Sequence, residues 1–96
     1  MKVFLDDERT TPDGWTRVFT VEECISLLQT RTVTHLSVDN DLGEGLLEGY
    51  TVLNFLEETV FNDPSFPIPE ITVHSNNASR VQSMLQTIES IKRFVK

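Results

Sequence analysis

Ninety-six residues of ordinary apolar content leave room for one domain, residues 1–96, built around one compact core. The net charge of −7 excludes broad binding to duplex DNA, which needs a basic surface, and no stretch approaches the roughly 20 apolar residues that cross a bilayer, so no membrane partner is expected. The single cysteine, Cys24, excludes an internal disulfide, and the start Met1-Lys2-Val3-Phe4-Leu5-Asp6-Asp7 turns acidic too early for a secretory signal; both features fit a cytoplasmic protein.

Lys2 to Asp6 is a short apolar run ending in acid, the pattern of a buried strand. Thr10 to Trp15, with Pro12 and Asp13-Gly14, is a turn-forming loop, and Thr16 to Phe19 makes a weak second strand. Thr20 stands where an N-cap belongs, and Glu23, three residues on, completes a capping box. Val21, Cys24, Ile25 and Leu28 then recur at helical spacing, which predicts a helix from about Val21 to Gln29. Thr32 to Asp39, carrying Val33, Leu36 and Val38, is a third strand, and Asn40 to Gly49, with three glycines, is a loop. Tyr50 to Thr59 places Val52, Leu53 and Leu56, then Val60, on one face of a second helix. Asn62 to Pro69 is a loop with three prolines, Ile71 to His74 is a fourth strand, and Val81, Met84, Leu85, Ile88 and Ile91 form the stripe of a last helix.

The order β-β-α-β-α-β-α predicts an α/β domain with a four-stranded parallel sheet covered on both faces, in three layers. Ligands of such sheets bind beyond the carboxyl ends of the strands, where the winding reverses. The chemistry therefore belongs just after Leu5, Val38 and Val73. Asp6-Asp7-Glu8-Arg9, Asp39-Asn40-Asp41 and His74-Ser75-Asn76-Asn77 stand at those points. Carboxylates gathered from two adjacent strands repel one another unless a cation sits among them, and Mg²⁺ or Mn²⁺, hard ions that take carboxylate and phosphate oxygen, suit Asp6, Asp7, Asp39 and Asp41. Arg9 has the chemistry to take a phosphate bidentately, and the imidazole of His74 suits proton transfer. Ser75, Asn76 and Asn77 offer neutral donors ahead of the last helix, whose N-terminus favours anions.

Charge divides along the chain. Residues 1–70 carry four basic and fourteen acidic side chains, whereas residues 71–96 carry Arg80, Lys92, Arg93 and Lys96 against Glu89 alone. The acidic part suits a cation, and the basic end reads as a solvated helix terminus. His35 falls at the opposite edge of the sheet and reads as structural, Cys24 as core, and Glu44 and Glu48 as solvated. Trp15 either stacks on a base or covers the core. There is no P-loop, no GxGxxG and no zinc-ligand spacing.

Asp6-Asp7 after the first strand, an aspartate after the third and Ser75 after the fourth resemble the receiver domain of response regulators. That resemblance implies a small, truncated receiver or flavodoxin-like fold, with Mg²⁺ held by the acidic pair, a phosphoryl group accepted by the third-strand aspartate and contacted by Ser75. The chain departs from it in ending after four strands, without the fifth strand and its lysine, and in having no long helix between the first two strands. A closer resemblance is to the cyclic-phosphate processing receiver domain family. It rests on Val3-Phe4-Leu5-Asp6-Asp7-Glu8-Arg9, Pro12-Asp13-Gly14-Trp15, Leu36-Ser37-Val38-Asp39-Asn40-Asp41-Leu42-Gly43, Gly49-Tyr50-Thr51-Val52-Leu53 and Ile71-Thr72-Val73-His74-Ser75. It implies binding or processing of nucleotide or RNA ends bearing a cyclic phosphate, through Asp6, Asp7, Arg9, Asp39, Asp41, His74 and Ser75. Asn40 stands where the family favours histidine. Three readings follow: a metal-dependent phosphoesterase with His74, Arg9 and Ser75 as catalytic groups, a non-catalytic module binding a nucleotide or cyclic oligonucleotide, and a stand-alone phosphoacceptor with Asp39 or Asp41 as acceptor. The oligomeric state is open.

Overall fold

The computed structural model describes residues 1–94, so Lys96 of the basic end lies outside the described residues. The elements are β1 (Lys2–Leu5), β2 (Trp15–Val18), α1 (Val21–Leu28), β3 (His35–Val38), α2 (Tyr50–Asn62), β4 (Glu70–Val73) and α3 (Ala78–Arg93). All strand pairs are parallel, in the order β2-β1-β3-β4. The element order, the four-stranded parallel sheet and the three helices are those predicted, and the architecture is that of a receiver or flavodoxin-like fold.

Local chemistry explains the element boundaries. Thr20 caps α1, its Oγ1 accepting from the Glu23 N–H at 3.2 Å, and the predicted capping box closes one residue early: Glu23 Oε1 accepts from the Phe19 N–H at 3.2 Å rather than from that of Thr20. Asn77 caps α3 in the same way, accepting from the Arg80 N–H at 3.0 Å, so this helix starts at Ala78, three residues ahead of its apolar stripe. Trp15, assigned to the loop by sequence, pairs with Lys2 and opens β2.

The layering differs from the three-layer expectation. The connections β2-α1-β3 and β3-α2-β4 travel the same way across the sheet, so right-handed crossovers set α1 and α2 on the same face. α2 packs on both α1 and α3, and one core unites Val3, Leu5, Leu36 and Val38 of the sheet with residues of all three helices. Only the β1-β2 connection travels the other way. A helix there would cover the second face, but residues 6–14 are a loop. Among the described residues that face therefore has no helix over it; it carries Lys2, Phe4, Trp15, Arg17, His35, Ser37, Glu70 and Thr72.

The helix-covered side holds the fold together. Leu5, Leu36, Leu53 and Leu56 are wholly buried, each contributing roughly 1.5–3 kcal/mol by leaving water. Cys24 is also buried there, as its helical spacing predicts, and burial pushes its thiol up to about 12. Among the described residues no helix is long and apolar enough to cross a membrane.

Candidate functional site

In-register pairing aligns Leu5 with Val38 and Val38 with Val73 at one edge of the sheet. The backbone ladder runs one residue further: Asp39 N–H donates to Leu5 O and His74 N–H to Val38 O, each at 3.0 Å. Asp6, Asp39 and His74 are thus delivered side by side, where the chain leaves β1 one way and β3 the other. The same ladder sets Asp39, not Asp41, at the end of the strand.

Asp6 is completely buried. Its Oδ1 accepts from the N–H groups of Glu8 (2.7 Å) and Arg9 (2.9 Å), and its Oδ2 lies 2.9 Å from His74 Nε2. Burial alone would raise its pKa, but the backbone donors of Arg9 and Glu8, together with His74, outweigh burial and hold the carboxyl below its ordinary value. Asp39 shifts the other way. Burial and then the charge of Asp6 raise it, and His74 offsets part of that rise. One ligand atom each from Asp6, Asp39 and His74 lie within 4.8 Å of one another.

His74 is held on three sides. An ionised Asp6 accepts only, so Nε2 carries the hydrogen toward it. Nδ1 meets Ser37 Oγ at 2.6 Å, and the ring stacks on Phe4 with centroids 4.5 Å apart and planes at 4°. The ring lies on the helix-free face, behind Asp6, and does not line the cleft.

The cleft itself encloses about 700 Å³. Asp6, Asp7, Glu8, Arg9, Asp39, Asn40, Asp41, Gly43, Glu44, Glu48, Ser75, Asn76 and Asn77 line it. Six of the seven residues singled out by sequence, all but His74, thus face one space. Seven carboxylates and one guanidinium surround it, so a bare phosphate meets net repulsion and a cation meets attraction. Asp7 and Asp41 stand at the cleft outside the tight group of three; Asp41 Oδ1 accepts from the Gly43 N–H at 3.2 Å and shapes the loop. Arg9 Nη2 donates to Asn76 Oδ1 across the cleft at 3.2 Å, and its Nε lies 3.8 Å from Asp6. Ser75 Oγ accepts from the Asn77 N–H at 3.3 Å.

Two further residues fix this arrangement. Asn40 is buried, and its side-chain oxygen accepts from the Tyr50 N–H at 3.1 Å, so it caps the start of α2. Gly49 is required by contact: a Cβ there would collide with the backbone oxygen of Asp39. Ser37 and Phe4 were not singled out by sequence. Ser37 carried a signal, a hydroxyl interrupting an apolar strand two residues before Asp39. Arg17, whose Nε donates to Asp6 O at 3.0 Å, carried none.

No curated protein and no solved structure matches the chain. The family model described as the cyclic-phosphate processing receiver domain matches residues 1–90, which include every residue of the cleft. The chain belongs to the cyclic-phosphate processing receiver domain family.

Proposed function

We propose that the cleft binds the cyclic phosphate of a nucleotide or RNA end with a divalent cation, Mg²⁺ or Mn²⁺, and hydrolyses it. The observation that carries this reading is the Asp6–Asp39 pair at the head of an acidic cleft, with Asp39 resisting ionisation beside an ionised Asp6. The donors are hard carboxylate oxygens and fit such a cation. When bound, it supplies neutralising charge for the phosphate and a more acidic water.

The protein's own groups bind and orient. Arg9, half-exposed, bonded to Asn76 and 3.8 Å from Asp6, has a guanidinium that can fork onto two phosphate oxygens. Ser75, Asn76 and Asn77 offer donors to the remaining oxygens at the start of α3. His74, with Nε2 on Asp6 and Nδ1 against Ser37, orients Asp6. In the reaction, water adds to phosphorus, one ring P–O bond breaks, and the leaving oxygen takes a proton to give a phosphomonoester.

A second reading, binding without turnover, is favoured by two observations. The ring of His74 stands behind Asp6 rather than in the cleft, and Asn40 is committed to capping α2. The test is a panel of 2′,3′-cyclic nucleotides, cyclic-phosphate-ended RNA and cyclic oligonucleotides incubated with Mg²⁺ or Mn²⁺ and read by mass spectrometry. Conversion abolished by EDTA and by Asp39→Asn supports the hydrolase. Tight, cation-dependent binding with intact ligand recovered supports the binding module. Neither turnover nor binding rejects both.

A further inference from the structure

We propose that Tyr50 and Arg80 form a shelf for the base of the nucleotide whose phosphate enters the cleft; this rests on the proposed function and names the ligand as a nucleotide rather than a bare phosphate ester. Tyr50 is the first residue of α2, and Arg80 lies in the first turn of α3. These helices pack on each other, so their N-terminal ends open together above the strand ends. The Arg80 guanidinium lies over the Tyr50 ring, 4.9 Å from its centroid. Its Nη2 is 3.6 Å from Oε2 of Glu48, a residue of the cleft wall. The shelf is therefore continuous with the cleft.

The shelf is accessible and held in place. Tyr50 is 36% exposed and the Arg80 side chain 40%. The backbone of each is fixed by a side chain from the cleft: Asn40 accepts from the Tyr50 N–H and Asn77 from the Arg80 N–H. Leu46 and Leu47, half exposed on the loop leading to Tyr50, add apolar surface. Every base presents a π face that stacks on a guanidinium plane or an aromatic ring, and Glu48, an acceptor only, suits the N–H edge of a base.

The two arginines divide the labour by position. Arg80 lies over the Tyr50 ring beside Glu48 and is not among the residues of the cleft wall, a position suited to stacking. Arg9 lines the cleft, bonded to Asn76 and 3.8 Å from Asp6, beside the Asp6–Asp39 pair where the phosphate goes.

The experiment measures affinity, by calorimetry with Mg²⁺ and again with Mn²⁺, for a 2′,3′-cyclic nucleotide and for methyl riboside 2′,3′-cyclic phosphate, which lacks the base. The unmodified chain is expected to prefer the nucleotide by about tenfold. Tyr50→Ala and Arg80→Ala are expected to erase that preference while leaving affinity for the baseless ester unchanged, and Tyr50→Phe to keep it. Equal affinity of the unmodified chain for the two ligands overturns the shelf, as does equal weakening of both by Arg80→Ala, which would make Arg80 a phosphate anchor. If neither ligand binds with either cation, the proposed function is overturned and the shelf with it.

Discussion

Two histidine–carboxylate pairs stand on the helix-free face of the sheet, one at each end of the strands. At the amino end His35 Nε2 lies 3.4 Å from Glu70 Oε2, with the carboxylate side chain 75% exposed; at the carboxyl end His74 Nε2 lies 2.9 Å from an Asp6 side chain that is 0% exposed. The groups are alike and the surroundings opposite. Glu70 loses little by parting from its histidine, because water takes its place. Asp6 is held by two backbone donors and His74, and its charge bears on Asp39 beside it. The difference teaches that the strand ends are unequal in how many protein groups share a buried charge, and the end where that sharing is tight is the one that opens into the cleft.

Breaking the tight pair should have the largest effect. Asp6→Ala leaves the Glu8 and Arg9 N–H groups and His74 Nε2 without their acceptor in a buried site, for an expected loss of about 3–5 kcal/mol in urea unfolding. Gly49→Ala comes next. The added methyl collides with Asp39 O, and moving that backbone should cost about 1–3 kcal/mol and weaken Mn²⁺ binding measured by calorimetry.

Titration sharpens the comparison, because Asp6 and Asp39 oppose each other in sign. Asp6, with its pKa lowered by folding, stabilises the fold above the ordinary carboxylate range and loses that contribution as pH falls through the lowered value. Asp39, with its pKa raised, contributes fully below that range and loses the contribution as pH rises through the raised value. Without divalent cations, Asp39→Asn is therefore expected to raise the thermal midpoint at pH 7 by a few degrees, on a scale of about 4–8 °C per kcal/mol, and to give no such gain in acid. The smallest effect is at the amino end, where His35→Ala should change stability by under about 0.5 kcal/mol in the same unfolding assay.

The strand ends were legible because burial and charge alternate sharply there: Val3-Phe4-Leu5 runs into Asp6-Asp7, and Leu36 to Val38 runs into Asp39. Parallel pairing then leaves little freedom in what the three ends bring together. The single-sided layering was less legible, since amphipathic stripes on three helices fit either face, and only the direction of each crossover assigns them. His74 was placed correctly at its strand end, but the position of its ring depends on Phe4 beneath it and Ser37 beside it, two contacts made across strands. By sequence Asn40 only stands where the family favours histidine, and its bond to the Tyr50 N–H, ten residues away, is hidden by the intervening loop.

Cys24 gives the fold a clock. Its thiol is wholly enclosed and resists ionisation at any ordinary pH, so an alkylating or disulfide reagent must wait for the helix layer to come apart before it reacts. The labelling rate then counts openings of the native chain. Any compound or ion that favours the closed form slows the count without touching the sulfur, which makes one buried atom a sensor for ligands bound at the strand ends.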